Sequence, residues 1–336
     1  MNLQSCFEQF HRFRILIVGD VMLDSYIEGE VQRISPEAPV PIVHFRKEDH
    51  RLGGAANVAL NVLAMGAKAV ICSVTGNDNQ ARKIADLMGE AGIDSSRLVL
   101  DSERKTTVKT RVVGNHQQLL RIDSEQTDAI SDTQENALLK SIEKTLNEGI
   151  DAVIFEDYNK GVLTERVIQT VIQWCKDRQV PTAVDPKKNH FFSYKGVTLF
   201  KPNLKELKEG VGFDFTFHQH RELFLEALEQ LEKRIDNEIS FVTLSEHGVF
   251  VKKKEEQFHA HAHVRNIADV SGAGDTVIAV ATLCLISNLS LQLIAEISNL
   301  AGGLVCEESG VVSVNREKLL REANRMLFGT ETITTC

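Results

Sequence analysis

The chain has 336 residues, 43% of them hydrophobic and 25% charged, with a formal net charge of −9. That composition is ordinary for a globular protein, and its acidity argues against nucleic acid or an anionic membrane as the main partner. The six cysteines are scattered without a CxxC pair, which excludes a zinc site or disulfide framework by spacing and fits a reducing cytosol. No apolar stretch reaches the roughly 18 uncharged residues that a spanning helix needs. The opening MNLQSCFEQFHRFR lacks the apolar core of a signal peptide, so a cytoplasmic location is expected. An acidic ligand must then be held locally, by a few placed cations or by backbone N–H groups.

The first folded segment is RILIVGD, residues 14–20, a short β-branched run that reads as a buried strand. Runs of the same kind recur at AVICSV (69–74), AVIFED (152–157), PTAVDP (181–186), TLFKPN (198–203) and SFVTLS (240–245). Helical patterns lie between them. SDTQENALLKSIEKTLNEG offers Ser131 or Asp132 as a cap and Gly149 as a stop; LTERVIQTVIQWCKDRQ has Thr164 as its cap. Strand and helix alternate, so a mostly parallel sheet covered on both faces is the expected architecture.

Two segments depart from this rhythm. Residues 25–45, SYIEGEVQRISPEAPVPIVHF, carry three prolines within six positions, which excludes a helix. Residues 105–123, KTTVKTRVVGNHQQLLRID, alternate polar and apolar around Gly114-Asn115, a hairpin signal. Together they predict a small antiparallel sheet projecting from the main one, readable as a lid over a substrate, a dimer-contact sheet, or both. KKKEE, residues 252–256, reads as a solvated hairpin tip, and the last helix runs from the cap Asn315 to the stop Gly329. The remaining tail is expected to fray.

Three stretches carry chemistry. In RLGGAANVALNVLAMG, Gly53 and Gly54 let backbone approach a ligand and Asn57 projects a polar group at the start of an apolar helix; a glycine turn into a buried helix reads equally well. In FKPNLKELKEG, Asn203 and Glu206 lie one helical turn apart after a strand. That pair suits water-mediated magnesium, and it suits a capping box no less. In ADVSGAGDTVIAVATLC, the small residues Gly272, Ala273 and Gly274 expose amides at a helix N-terminus just before Asp275. Such a loop can hold a transferring phosphoryl, and the helix field is expected to favour ionised Asp275, able to accept a hydroxyl proton. The bland alternative is an ordinary cap after a glycine turn. There is no GxxxxGK[ST], no GxGxxG after the first strand, and no HRD or DFG set, so P-loop, dinucleotide and protein-kinase readings lose ground. The alternating His259, His261 and His263 would share one strand face, but without acid or cysteine ligands beside them they read as exposed strand.

GGAANVA from Gly53 and DVSGAGDT from Asp269 together resemble the two signatures of the ribokinase-like (PfkB) carbohydrate kinases, and NLKE from Asn203 resembles that family's NxxE motif. The resemblance implies an α/β, doubly wound, mostly parallel sheet with helices on both faces and a small antiparallel β lid that often clasps a dimer. It implies ATP and Mg2+, with room for a monovalent cation. Asp275 becomes the base, and Gly272, Ala273 and Gly274 the anion hole. Gly53, Gly54 and Asn57 line the sugar site with Asp20 and Asp24; Thr243, Ser245, Gly248 and Asp269 lie on the nucleotide side; Asn203 and Glu206 hold the metal through water.

Within that family, RISPEAPVP, QQLLRID and EDYNKGVL are similar to the heptose-phosphate kinase branch, which phosphorylates O1 of D-glycero-β-D-manno-heptose 7-phosphate on the route to ADP-heptose. This implies a small-molecule sugar phosphate and ATP as partners, a homodimer through the lid, and a separate nucleotidyltransferase, since no HxGH motif follows. Relatives usually carry Lys-x-Gly where this chain has Glu308. A substrate with a distal phosphate calls for cations on the sugar side; Arg33, Lys109, Arg111, Arg121, Lys160 and Lys187 are the supply, with Lys109, Arg111 and Arg121 placed in the substrate site. The alternatives are a sugar kinase acting on fructose 6-phosphate, ribose or a nucleoside, or a non-catalytic sugar- or nucleotide-binding regulator. Residues 1–330 are expected to form one kinase domain, with lid segments at about 25–48 and 105–123 and a tail at 331–336.

Overall fold

A computed structural model describes residues 3–115 and 117–329; the tail at 331–336 lies outside them. In chain order the elements are α1 (Leu3–Gln9), β1 (Arg14–Gly19), β2 (Val21–Ile34), β3 (Pro41–Gly54), α2 (Ala55–Ala64), β4 (Lys68–Gly76), α3 (Asn79–Glu90), β5 (Leu98–Asp101), β6 (Val108–Gly114) and β7 (Gln117–Ser124). They continue with α4 (Asp132–Asn147), β8 (Ala152–Glu156), α5 (Glu165–Asp177), β9 (Thr182–Asp185), β10 (Leu199–Phe200), α6 (Leu204–Val211), α7 (Arg221–Ile235) and β11 (Ile239–Thr243). The last are β12 (Val249–Lys253), β13 (Glu256–Ala260), α8 (Ala273–Ile286), α9 (Leu291–Val305) and α10 (Arg316–Phe328).

The main sheet has the order β13-β12-β11-β10-β9-β8-β1-β4-β5 and is parallel from β11 to β5, with β12 and β13 added as an antiparallel hairpin. Each apolar run expected as a strand is one. β1 shows why: alternate side chains point to opposite faces, so Ile15 and Ile17 pack with Val58 of α2 and Ile278 of α8, while Leu16 and Val18 pack with Leu138 of α4 and Val171 of α5. A strand buried on both faces needs the continuous apolar run that the sequence displays. The helix ends follow their caps: Thr164 accepts from the Val167 amide, Asn315 accepts from the Lys318 amide, and Gly329 closes α10. The expected tip at 252–256 is the β12–β13 turn at Lys254 and Glu255. Among the described residues, no helix is long and apolar enough to cross a membrane.

The lid is a four-stranded sheet, β3-β2-β6-β7. Its β2–β3 and β6–β7 pairs are antiparallel, as expected, but the central β2–β6 pair is parallel, so the lid is mixed. The lid strands also begin earlier than position 25, because β2 leaves the main sheet directly after β1. Residues 35–40 form the β2–β3 turn, which accounts for Pro36 and Pro39, and Pro41 opens β3. Asn115 turns the β6–β7 hairpin and exchanges two side-chain hydrogen bonds with the backbone of Val31.

Strand order reverses between β1 and β8: one half of the chain winds outward through β4 and β5, the other through β9, β10 and β11. A crevice opens beyond the C-terminal ends of parallel strands at such a reversal. The lid rises from the same edge, on β2. Close packing of β1 on β8 sets the floor of this crevice, because a Cβ on Gly19 would lie 2.0 Å from the Glu156 carbonyl oxygen. Gly19→Ala is expected to destabilise the protein by about 3 kcal/mol through overpacking, read as a lower urea midpoint at unchanged slope. An unchanged midpoint would show that β1 and β8 can separate freely.

Candidate active site

Asp20 follows β1 at the crevice floor. Its carboxylate accepts from the amides of Tyr158 (2.8 Å), Lys160 (3.1 Å) and Val162 (3.2 Å), so it anchors the loop after β8. Burial and the neighbouring Asp157 push its pKa up to about 6 against those three donors. The sequence placed Asp20 with the sugar ligands; the structure commits its oxygens to backbone instead.

The SGAG turn leads into α8. Gly272 is the cap residue with φ of +79°, a conformation that a side chain disfavours. A Cβ there would also meet Asn57 Nδ2 at 2.8 Å. The Ala273 amide donates to the Val270 carbonyl at 3.3 Å, so it is engaged in the turn rather than bare like an open first-turn amide. Asp275 sits in the first turn, buried. Its Oδ2 accepts from Asn57 Nδ2 at 2.7 Å and its Oδ1 from the Tyr158 hydroxyl at 2.8 Å. Burial nevertheless pushes its pKa up to about 6; Asn57 and Tyr158 lower it, Asp185 raises it, and Lys201 lowers it. The expectation that the helix field alone would favour ionisation is therefore corrected: desolvation outweighs it.

Glu156 ends β8 and Asp185 ends β9. With Asp275 they form a buried trio whose ligand oxygens all lie within 4.8 Å of one another. Both carboxylate oxygens of Glu156 are buried without a hydrogen-bond partner, and burial together with Asp185 and Asp275 drives its pKa upward. Lys201 pairs with Asp185 at 2.8 Å, and Lys187 lies 3.4 Å from Asp185 and 2.8 Å from Glu206. Burial would raise the Asp185 pKa, but these two ammonium groups hold it below the usual carboxylate range. A divalent cation bound by oxygen ligands fits such a trio, since it would satisfy the orphaned Glu156 oxygens and offset the excess acid.

Asn203 and Glu206 form a complete capping box on α6, with reciprocal bonds of 2.8 Å. Both Glu206 oxygens are in use, one by the cap and one by Lys187. Asn203 lines a cavity of about 780 Å³ together with Thr243, Ser245, Gly248 and Asp275. The expected nucleotide-side residues are thus brought together beside the acid trio. Asp269 is the exception: its carboxylate accepts from the Ser271 (2.9 Å) and Gly310 (3.1 Å) amides, tying the loop before α8 to the turn at Gly310. Glu308 is exposed near that turn.

On the lid side, Gly53 lies against Asp24, and a Cβ on it would fall 2.2 Å from Asp24 Oδ2. Gly54 is the cap residue of α2, which carries Asn57. Asp24 pairs with Arg111, both buried. Lys109 and Arg111 share one face of β6, opposite Asp123 and Arg121 of β7. Lys109 Nζ lies 5.0 Å from the Tyr158 ring centroid. Arg121 is bidentate to Asp123 at 2.7 and 2.8 Å, and Lys160 pairs with Glu125 at 2.8 Å. Arg33 is exposed near the far end of β2, and Lys187 belongs to the acid trio, not to the lid. His259 alone of the alternating histidines is on β13; the strand ends at Ala260, and no histidine joins a metal-ligating group among the described residues.

Sequence reasoning missed Glu156, Tyr158, Asp185 and Lys201. The first and third carry a signal that could have found them: an acid closing an apolar run, FED and VDP, lands at the C-terminal end of a parallel strand. A buried carboxylate beside a helix N-terminus, an acid trio with two lysines, and an adjoining cavity of about 780 Å³ are groups that phosphoryl transfer to an alcohol can use.

The sequence profile of the pfkB family carbohydrate kinase matches residues 12–318. The chain is similar to the "Bifunctional protein HldE" of Methylobacillus flagellatus, with 39% identity over 322 residues covering 96% of this chain and 65% of that protein. It is 38% identical over 314 residues to the protein of the same name from Campylobacter curvus, covering 92% and 65%. The chain spans just under two thirds of the length of these relatives. Among solved structures, phosphofructokinase-2 from Escherichia coli in complex with potassium superposes with a TM-score of 0.77 at 18% identity, covering 93% of this chain and 100% of that one, a likeness of fold.

The raised pKa of Asp275 has a thermodynamic consequence. A carboxyl that holds its proton to about pH 6 when folded, against an ordinary value of 3.8, stabilises the fold below pH 4 and loses that contribution as pH rises through 6. Asp275→Asn is expected to be more stable than wild type at pH 7.5 by about 2 kcal/mol, with the gain shrinking as pH falls from 6 to 4. Thermal melts across this range test it, and a pH-independent difference would contradict it.

Proposed function

This chain belongs to the pfkB family of carbohydrate kinases, with its ribokinase-like fold, and we propose that it transfers the γ-phosphoryl of ATP to O1 of D-glycero-β-D-manno-heptose 7-phosphate. The product would be the 1,7-bisphosphate of ADP-heptose biosynthesis, made in the cytoplasm, and the later adenylylation would require a separate nucleotidyltransferase. The observation that carries the choice of a phosphorylated sugar is Lys109. Its side chain is partly buried near Asp24, and no carboxylate lies within ion-pair distance of its ammonium group among the described residues, whereas Arg111, Arg121 and Lys160 are already paired. A partly buried cation without a carboxylate partner in an acidic protein is suited to a ligand's anion. The relatives named HldE and the strings RISPEAPVP and EDYNKGVL support heptose as the sugar.

In this reading Asp275 accepts the O1 proton as the alcohol oxygen bonds to the γ-phosphorus and the bond to the ADP oxygen breaks. The amides of Gly272 and Gly274, at the positive end of α8, face the charge that develops on the phosphoryl. Thr243, Ser245 and Gly248 line the nucleotide cavity, while Asp24, Gly53 and Asn57 line the sugar side, where the buried and unpartnered Asn57 Oδ1 is open to a hydroxyl donor. Magnesium, when bound, supplies charge neutralisation to the phosphates, and Glu156 and Asp185, with Asn203 and Glu206 through water, are the residues that would hold it. The exposed side chains of Leu120 and Ile122 alternate with Arg121 and Asp123 on β7, so the lid face away from the site is apolar and suits a homodimer contact.

Asp275→Asn should bind ATP as the wild type does while turnover falls by roughly two orders of magnitude or more, measured by calorimetry and coupled ADP release. Turnover equal to wild type would remove Asp275 from the role of base. Across a panel of phosphorylated heptoses, fructose 6-phosphate, ribose and nucleosides, the 7-phosphorylated heptose is expected to give the highest kcat/KM. Activity confined to another member would replace heptose, and ligand binding without ADP release would mean a regulator.

A further inference from the structure

Tyr158 stands where the two halves of the site meet. It directly follows β8, and Asp20 holds its backbone N–H at 2.8 Å. Its hydroxyl donates to Asp275 Oδ1 at 2.8 Å, while Asn57 donates to Oδ2 at 2.7 Å. Its ring centroid lies 5.0 Å from Lys109 Nζ, which comes from the lid, and 5.5 Å from Lys187 Nζ, which comes from the nucleotide side. We propose that Tyr158 is a positioning residue for phosphoryl transfer: with Asn57 it clamps the Asp275 carboxylate by both oxygens and so fixes its direction toward the acceptor alcohol. This rests on the reading of Asp275 as base.

A carboxylate turns about a single bond, and a donor on each oxygen removes that freedom. Each oxygen keeps a further lone pair for a substrate hydroxyl. Two ammonium groups beside the Tyr158 ring hold it in place through its π face. The one from β6 links the orientation of the donor to the position of the lid, and the one bridging Asp185 and Glu206 links it to the nucleotide side.

Tyr158→Phe keeps the ring and its cation contacts and deletes only the donor. Its kcat is expected to fall about tenfold at unchanged KM for ATP and for the sugar, the size that one hydrogen bond to a charged group supports. Replacement of Tyr158 by 3-fluorotyrosine, which keeps the donor in the same space, should restore wild-type kcat, and it keeps the test open if the Phe variant folds poorly. Asp275→Asn is assayed beside them. If that variant is silent and Tyr158→Phe turns over at the wild-type rate, Tyr158 does not position the base. If Asp275→Asn turns over normally, the base reading falls and this inference falls with it.

Discussion

The constraint on which the site depends is the crowding of acid at one edge of a sheet. Asp20, Glu156, Asp157, Asp185 and Asp275 are all buried where β1, β8 and β9 end and α8 begins. Water is excluded from them, so their charge has to be met by protein groups or by a bound cation. Protein groups meet part of it. Three amides go to Asp20, Lys201 and Lys187 go to Asp185, and an amide and a phenol go to Asp275. Glu156 is left with nothing, and its unpartnered oxygens mark where the compensation is incomplete. The apolar cores on both faces of the sheet hold this acid cluster in place, and a ligand that brings positive charge would complete its compensation.

The fold was legible because its signal is collective. Every parallel strand except the short edge strand β5 is announced by an apolar run, and the alternation of such runs with amphipathic helices leaves few topologies. What was not legible is the direction of pairing inside the lid. Alternation in residues 105–123 marks a hairpin, but nothing in it says that β6 would lie parallel to β2, because that pairing joins segments far apart in the chain. The site divides in the same way. Local motifs marked Gly53, Asn57, Asn203 and Asp275. Tyr158 and Lys201 follow strands with no pattern of their own, and their roles exist only through contacts between elements. Asp20 and Asp269 also anchor neighbouring loops, and spacing cannot reveal that an acid will accept from backbone amides.

The two readings of Asn203 and Glu206 are compatible in this structure. The capping box is present, yet the carboxylate oxygen that Lys187 contacts is directed toward Asp185 and the trio rather than to solvent. Lys187 is itself partly buried, and Asp185 and Glu206 outweigh that burial in keeping it charged. It thus spans the gap between the cap of α6 and the end of β9. A ligand cation entering the trio would compete with this lysine for Asp185, so the cap and the metal site are coupled through one side chain.

Glu156 and Asp275 are buried side by side and yet differ. A strongly ionised carboxylate is a poor base, and a fully protonated one is no base at all; a value near the working pH serves best. Burial together with Asp185 and Asp275 carries Glu156 well above the ordinary range, although Lys187 and Lys201 oppose the shift. Asp275 shares that burial and the field of Lys201, but it has two hydrogen-bond donors that Glu156 lacks, and its value settles near 6. The difference between these neighbours is made by Asn57 and Tyr158, which come from α2 and from the loop after β8. The chemistry of one carboxylate is therefore set by the joint placement of two separate elements, and the second is held in place by Asp20 at the end of β1.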